Sequence, residues 1–326
     1  MRARVYHLPD TLRSWPWQPQ TNPHYRAAQA ESVAWLENFR PFTTDTQRAF
    51  NGCDFSLLTS MAFPQVTFEK LRGGCDLMHT FFALDDYTDE LSGAGVKALC
   101  DIAMDAIDNP DQVRPEGEHV IGEIARQMWK RISHNAPKGS RKRFVTTWRT
   151  YLDSVVQQAE RRAKGYVCTL EEYIDARRDN IGTSPTFALM EMALSLDLPR
   201  EVAQHPAVVS LNRDTADMTW LTNDMYSYKK ELLRNSSDYN VVSVLMKANS
   251  TDVEESVERF LRVKDDLLNH RNGVPSWGKD IDAQVEQYID ELGNWVRGHD
   301  KWYFSSERYF QDKAPETEKC RTITLA

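Results

Sequence analysis

Two clusters of oxygen-bearing side chains are able to do chemistry with a cation. The first is the run FFALDDYTDE, in which Asp85 and Asp89 are four apart and share one helical face. Asp86 and Glu90 make a second such pair on the adjacent stripe. Like charges at this spacing destabilise a helix unless a cation sits between them. The second is NDMYSYKKE, where Asn223, Ser227 and Glu231 fall at i, i+4 and i+8. That spacing lines up an amide oxygen, a hydroxyl and a carboxylate, a mixed donor set suited to a hard divalent cation such as Mg2+. A single carboxylate leaves the ion net positive charge for a phosphate oxygen, and Lys229 and Lys230 lie beside it against the same anion. The two clusters do not weigh equally. A D-D-x-x-D match arises by chance in about one chain in twenty of this length, the triad pattern in under about one in a hundred. Alone, the aspartates read as well as a solvated helix end; the triad does not.

Both clusters need rigid helices behind them. Apolar residues recur at three- and four-residue steps through most of the chain, as at Phe144, Trp148, Tyr151, Leu152, Val155 and Ala159. The spacing predicts helices at roughly 24–39, 43–60, 65–90, 93–108, 117–135, 138–164, 169–181, 183–196, 206–233, 239–248, 251–271 and 276–300, with prolines between many of them. Thr251 and Glu254 have capping-box spacing at the start of one of these. Period-2 strands are not evident. The expected fold is all-α, one single-domain helical bundle over 1–326, with residues 1–22 as a surface arm and 311–326 as a mobile tail.

Composition narrows the function. A net charge of −8 argues against a nucleic-acid binder, although metal cations could still mediate contact with an anionic substrate. The five cysteines are scattered and form no CxxC pair, so neither a disulfide framework nor a zinc site is supported. No apolar run approaches the ~20 residues of a membrane span, and the N-terminus lacks a signal-peptide core. The expected placement is cytoplasmic, as a monomer or weak homodimer.

With these motifs in place, the chain resembles the class I terpene synthases, and the fungal sesquiterpene synthases in particular. DDYTD at 85–89 matches their aspartate-rich motif, and Asn223, Ser227 and Glu231 match their second metal-binding triad. NPHY at 22–25, the lead-in LRGGCDLMHTFFALDD, RRDNIG at 177–182 and RY at 308–309 extend the likeness through most of the chain. The resemblance implies a helical bundle with a deep central apolar pocket. It implies a cluster of magnesium ions, three by family habit, on Asp85, Asn223, Ser227 and Glu231, with Asp89 and Asp86 as secondary ligands. It makes Lys230, Arg308 and Tyr309 diphosphate contacts, and Arg177 or Arg178 the diphosphate sensor, the usual separation favouring Arg177. Asn180 and Ile181 then fall at the family's helix break, followed by Gly182. Phe81, one turn before Asp85, and Trp302 are the expected aromatic walls, with Leu58, Met61, Phe187 and Trp220 as further lining. Tyr239-Asn240 departs from the His-Asn that related sequences carry after the triad.

The implied reaction is metal-dependent ionisation of a prenyl diphosphate, farnesyl diphosphate first, to a sesquiterpene hydrocarbon or alcohol. A ten-carbon substrate or an acyclic alcohol of the linalool or nerolidol type stays open. A chain-elongating prenyl diphosphate synthase is disfavoured, because such enzymes carry a second aspartate-rich motif where this chain has Asn-Ser-Glu. A non-catalytic helical scaffold is the remaining alternative.

Overall fold

Helical periodicity becomes helix almost wherever the spacing expects it in the computed structural model, which describes residues 4–8, 10–89, 91–234, 236–249 and 253–325. Among these, a short strand β1 (Arg4–His7) precedes α1 (Tyr25–Glu37), α2 (Thr44–Gly52), α3 (Phe55–Ala62), α4 (Phe68–Asp89) and α5 (Gly93–Asp108). The chain continues through α6 (Ile121–Ser133), α7 (Lys138–Ala163), α8 (Leu170–Asn180), α9 (Thr183–Ala193), α10 (Arg200–Ala203) and α11 (Pro206–Leu233). It ends with α12 (Val241–Asn249), α13 (Val253–Asn272), α14 (Lys279–Tyr303), α15 (Ala314–Cys320) and strand β2 (Thr322–Leu325). The Thr251–Glu254 capping box and the Glu90 carboxylate lie outside the described residues and side chains.

Three departures from the sequence reading have physical causes. The stretch 43–60 is two helices, because Asp54 adopts φ +46° and caps α3 by accepting from the Leu57 N–H. The Cys53 and Asp54 carbonyls at the break accept from the Trp302 indole at 2.9 and 3.1 Å. Residues 311–325, expected as a mobile tail, instead form α15 and β2. That strand pairs antiparallel with β1 in register Tyr6↔Ile323, so the expectation of no strand fails for this one clasp. The Tyr6 hydroxyl reaches from the clasp to the Met225 carbonyl in α11.

Two long helices carry the acidic and amide motifs. Helix α11 starts with Pro206 in its first turn, where a missing N–H costs nothing, and is buried along most of its length against α13 and α14. Helix α4 packs on α1, α3 and α6. Gly74 allows the close approach of α3, since a Cβ there would come within 2.7 Å of Thr59. The rotation of α4 is fixed by a buried carboxylate, Asp76, paired with Arg72 and with Arg131 at 2.8 Å. Ser32 donates to Asp76 at 2.6 Å and lies 2.8 Å from His79 Nδ1. Burial holds His79 down near 3, so it sits there as neutral imidazole.

One buried acid has no such counter-ion among the described residues. Glu291 on α14 is 3% exposed and accepts from Asn294 at 3.1 Å. Burial, with the neighbouring Asp290, pushes its carboxyl up to about 7 from 4.5. A folded-state value above the unfolded one means that the unfolded chain loses its proton first. Stability from this group therefore drains as pH rises from about 4.5 and is fully lost above 7. Glu291→Gln is expected to stabilise the protein at pH 8, on the order of 2 kcal/mol, with the gain shrinking towards pH 5. Thermal melts at the two pH values check this; a gain independent of pH would count against it.

Candidate active site

The face of α11 that bears the triad is polar inside an otherwise buried helix. Ser227 Oγ donates to Glu231 Oε1 at 2.5 Å, so two of the three expected ligands already converge. Asn240 donates to the other Glu231 oxygen at 2.9 Å and to the Asp224 carbonyl. Burial pushes the Glu231 carboxyl up, and the Asp224 carboxylate adds to it. The Asn223 amide oxygen accepts from Arg177 Nη2 at 2.8 Å, and its nitrogen donates to Tyr303 and Tyr309 at 2.9 and 3.3 Å.

Across from it, the aspartates close α4. Asp85 is half exposed and meets Arg308 at 3.4 Å. Partial burial and the Asp85 charge push the Asp89 carboxyl up to about 6, and burial also raises Asp86. A divalent cation would reverse both shifts by favouring the ionised forms. Arg308 lies over the Phe82 ring at 4.7 Å, and its Nε is buried without a partner among the described residues. Lys230 sits 5.6 Å from the Tyr309 ring centre, and burial together with Arg308 and Arg234 lowers it to about 8. Arg308 and Arg234 thus crowd Lys230 with positive charge that the nearby Asp85 and Asp86 only partly offset. An unspent buried donor and crowded cations fit an anionic ligand. A contact chain runs Asp85, Arg308-Tyr309, Asn223, Arg177, joining both motifs through the segment after α14.

The two adjacent arginines separate cleanly. Arg177 is 8% exposed; besides Asn223 it binds Asp224 at 2.9 Å and the Asn180 side chain at 3.2 Å. Arg178 turns away and forks onto Asp217 at 2.8 and 2.7 Å. Helix α8 begins with a Thr169–Glu172 capping box and ends at Asn180; Gly182, at φ +76°, then starts α9. A Cβ on Gly182 would stand 3.3 Å from the Phe81 ring, so the helix break lies directly on Phe81.

Two aromatic clusters stand where the apolar pocket is expected. Phe81 packs on Trp148 and Tyr151 at 5.2 and 4.9 Å. Phe82 stacks on Phe55 at 3.8 Å, with Trp302 at 5.9 Å from both. Leu58, Met61, Phe187 and Trp220 are all buried. A hollow of about 440 Å³ lies elsewhere, beside Phe39, and its Arg114 and Arg126 are paired to Glu118 and Glu123.

The sequence reading passed over Asp224, 1% exposed, which accepts from Tyr173, from Arg177 and from the Val241 N–H. It also passed over Tyr303 and gave Asn240 no role. Asp224 stands inside the NDMYSYKKE motif, adjacent to Asn223, which was the available signal. Tyr239, the departure from His, rests on Tyr173 at 5.1 Å.

Comparison with known proteins identifies the family of the chain. The family described as "Terpene synthase family 2, C-terminal metal binding" matches residues 76–269. A Δ6-protoilludene synthase of Stereum hirsutum is 44% identical over 99% of this chain and 89% of its own length. That of Armillaria gallica is 43% identical, covering 100% and 94%. Among solved structures, germacradien-4-ol synthase from Streptomyces citricolor superposes with a TM-score of 0.76 at 22% identity, over 88% of this chain and 96% of its own. A linalool/nerolidol synthase from Streptomyces clavuligerus gives 0.78 at 21% identity, over 89% and 97%. At that identity the last two speak for the shared helical fold.

Proposed function

The chain belongs to the terpene synthase family, and on that premise we propose that it ionises farnesyl diphosphate between the α4 aspartates and the α11 triad and closes the cation into a cyclic sesquiterpene. The family's chemistry is metal-dependent removal of diphosphate from a prenyl diphosphate, and this chain is such an enzyme. The single observation that carries the site assignment is the convergence of Asn223, Ser227 and Glu231 with Arg177 and the Arg308-Tyr309 pair around one polar face.

The donor set, one amide oxygen, one hydroxyl and one carboxylate opposite Asp85, fits magnesium, and we read a three-ion cluster there. Such ions, when bound, neutralise the charge that gathers on the leaving diphosphate. The protein's share is orientation and charge. Arg177, Lys230, Arg308 and the Tyr309 hydroxyl are placed to donate to diphosphate oxygens, where departure concentrates charge. Asn180 joins Arg177 to the α8–α9 break, and Gly182 lets that break lie on Phe81. Contact with the leaving group is thereby coupled to the wall of the hydrocarbon site. Phe81, Trp302 and their ring neighbours exclude water and present π-faces to the allylic cation. Δ6-Protoilludene is the first product to look for, because both relatives above are named for it. No helix among the described residues is long and apolar enough to cross a membrane. The five cysteines are unpaired, which suits a cytoplasmic placement.

The test is incubation with geranyl, farnesyl or geranylgeranyl diphosphate and Mg2+, with diphosphate release and volatiles measured together. Farnesyl diphosphate should yield a cyclic C15 hydrocarbon, and chelation should stop release. Longer diphosphates formed on adding isopentenyl diphosphate, or no release from any substrate, would sink the reading.

A further inference from the structure

A metal can use only one end of an asparagine amide. The oxygen is a ligand, whereas the nitrogen carries two protons and repels a cation. Something must therefore decide which way Asn223 points, and its surroundings do so. On one side stands the Arg177 guanidinium, which can only donate, so the amide oxygen faces it at 2.8 Å. On the other side both amide protons are taken by phenol oxygens, Tyr303 at 2.9 Å and Tyr309 at 3.3 Å.

A phenol holds the nitrogen only while it acts as acceptor, and a hydroxyl can rotate. Tyr303 is fully buried, and its hydroxyl lies 3.4 Å from His299 Nε2. His299 is 6% exposed, stacked on Trp295 at 5.8 Å and close enough to Arg177 to feel its charge. Burial first, then Arg177, lowers it to about 3, so it is neutral imidazole at any pH at which the enzyme works. In the tautomer protonated at Nδ1, the neutral ring offers Nε2 as an acceptor for the phenol's own proton. The phenol's lone pairs are then turned towards Asn223.

We propose that Tyr303, backed by His299, is a positioning residue that sets the polarity of the Asn223 amide and so reserves its oxygen for the divalent metal. The inference rests on the reading of Asn223 as a metal ligand. Outer partners of this kind change metal affinity by about 10- to 100-fold when removed.

A carboxylate has no wrong end, and this supplies the test. Mn2+ binding in the presence of inorganic diphosphate is followed by electron paramagnetic resonance in the wild type, Tyr303→Phe, Asn223→Asp and the double variant. Tyr303→Phe keeps the ring packed on Tyr226 and Tyr309, at 4.8 and 4.4 Å, and its melting temperature reports whether the fold is intact. It should weaken Mn2+ binding about tenfold in the wild-type background, and under about twofold once residue 223 is aspartate. Saturating Mn2+ should restore most of the lost turnover. An equal loss in both backgrounds would mean that the phenol merely packs, and no loss in either would mean that it does nothing; both overturn the proposal. Asn223→Ala binding Mn2+ as the wild type does would instead overturn the ligand assignment beneath it.

Discussion

Glu231→Gln should lower kcat/KM for farnesyl diphosphate by about a thousandfold, on the order of 4 kcal/mol of transition-state stabilisation, while leaving the protein as stable as before or more so. The two halves of this expectation have one cause. Glu231 is the only carboxylate of the triad, and its carboxyl is pushed up by burial and by Asp224. In the free protein its negative charge is an electrostatic burden, eased by the Ser227 hydroxyl and the Asn240 amide. Glutamine keeps the shape and removes the burden together with the charge that a divalent cation needs. A steady-state assay and a melting curve on the same preparation decide it. Loss of activity with a lower melting temperature would point to structural damage, and a fall of under tenfold would remove Glu231 from the metal site.

The second large effect separates neighbours in the chain. Arg177→Lys should cost roughly a hundredfold in diphosphate release, whereas Arg178→Lys should stay within about threefold. Arg177 divides its guanidinium among Asp224, Asn223 and Asn180, three partners in different directions that one ammonium cannot span. The lysine retains a positive charge beside the buried Asp224, so the fold is spared the cost of an unpaired carboxylate. Arg178 has a fork of equal quality to Asp217, but it faces away from the triad and is partly in water. Single-turnover release of diphosphate measures both. Equal losses in the two variants would sink the assignment of Arg177 to the leaving group.

The sequence carried the periodic helices and the triad because both are local. Spacing of three, four and eight residues along one helix is fixed by helix geometry, whatever the rest of the chain does. The choice between Arg177 and Arg178 could be leaned on but not made, since adjacent residues differ by about 100° around a helix and only a packed neighbour says which direction faces the site. The break between α2 and α3 carried only a weak mark, the Asn51-Gly52 pair at the end of α2. What holds it is remote, because the Cys53 and Asp54 carbonyls are met by Trp302, some 248 residues away. Asp224 was in plain view, yet its worth lies in Tyr173, Arg177 and Val241 arriving from three other segments. The β1–β2 clasp, four residues a side, is too short for alternation to announce it.

That clasp also has a consequence in time. His7 and Thr322 are separated by 315 residues, so on a ribosome β1 waits roughly 15 to 60 s for its partner at ordinary elongation rates. Both motif helices are made well inside that interval, and Arg308 and Tyr309 come close to its end. A half-made chain can thus hold its acidic and amide motifs without the cationic segment that spans them. The strand that reaches α11 through Tyr6 is thus made before that helix but acquires its own partner only after both motifs and the Arg308-Tyr309 segment have been synthesised.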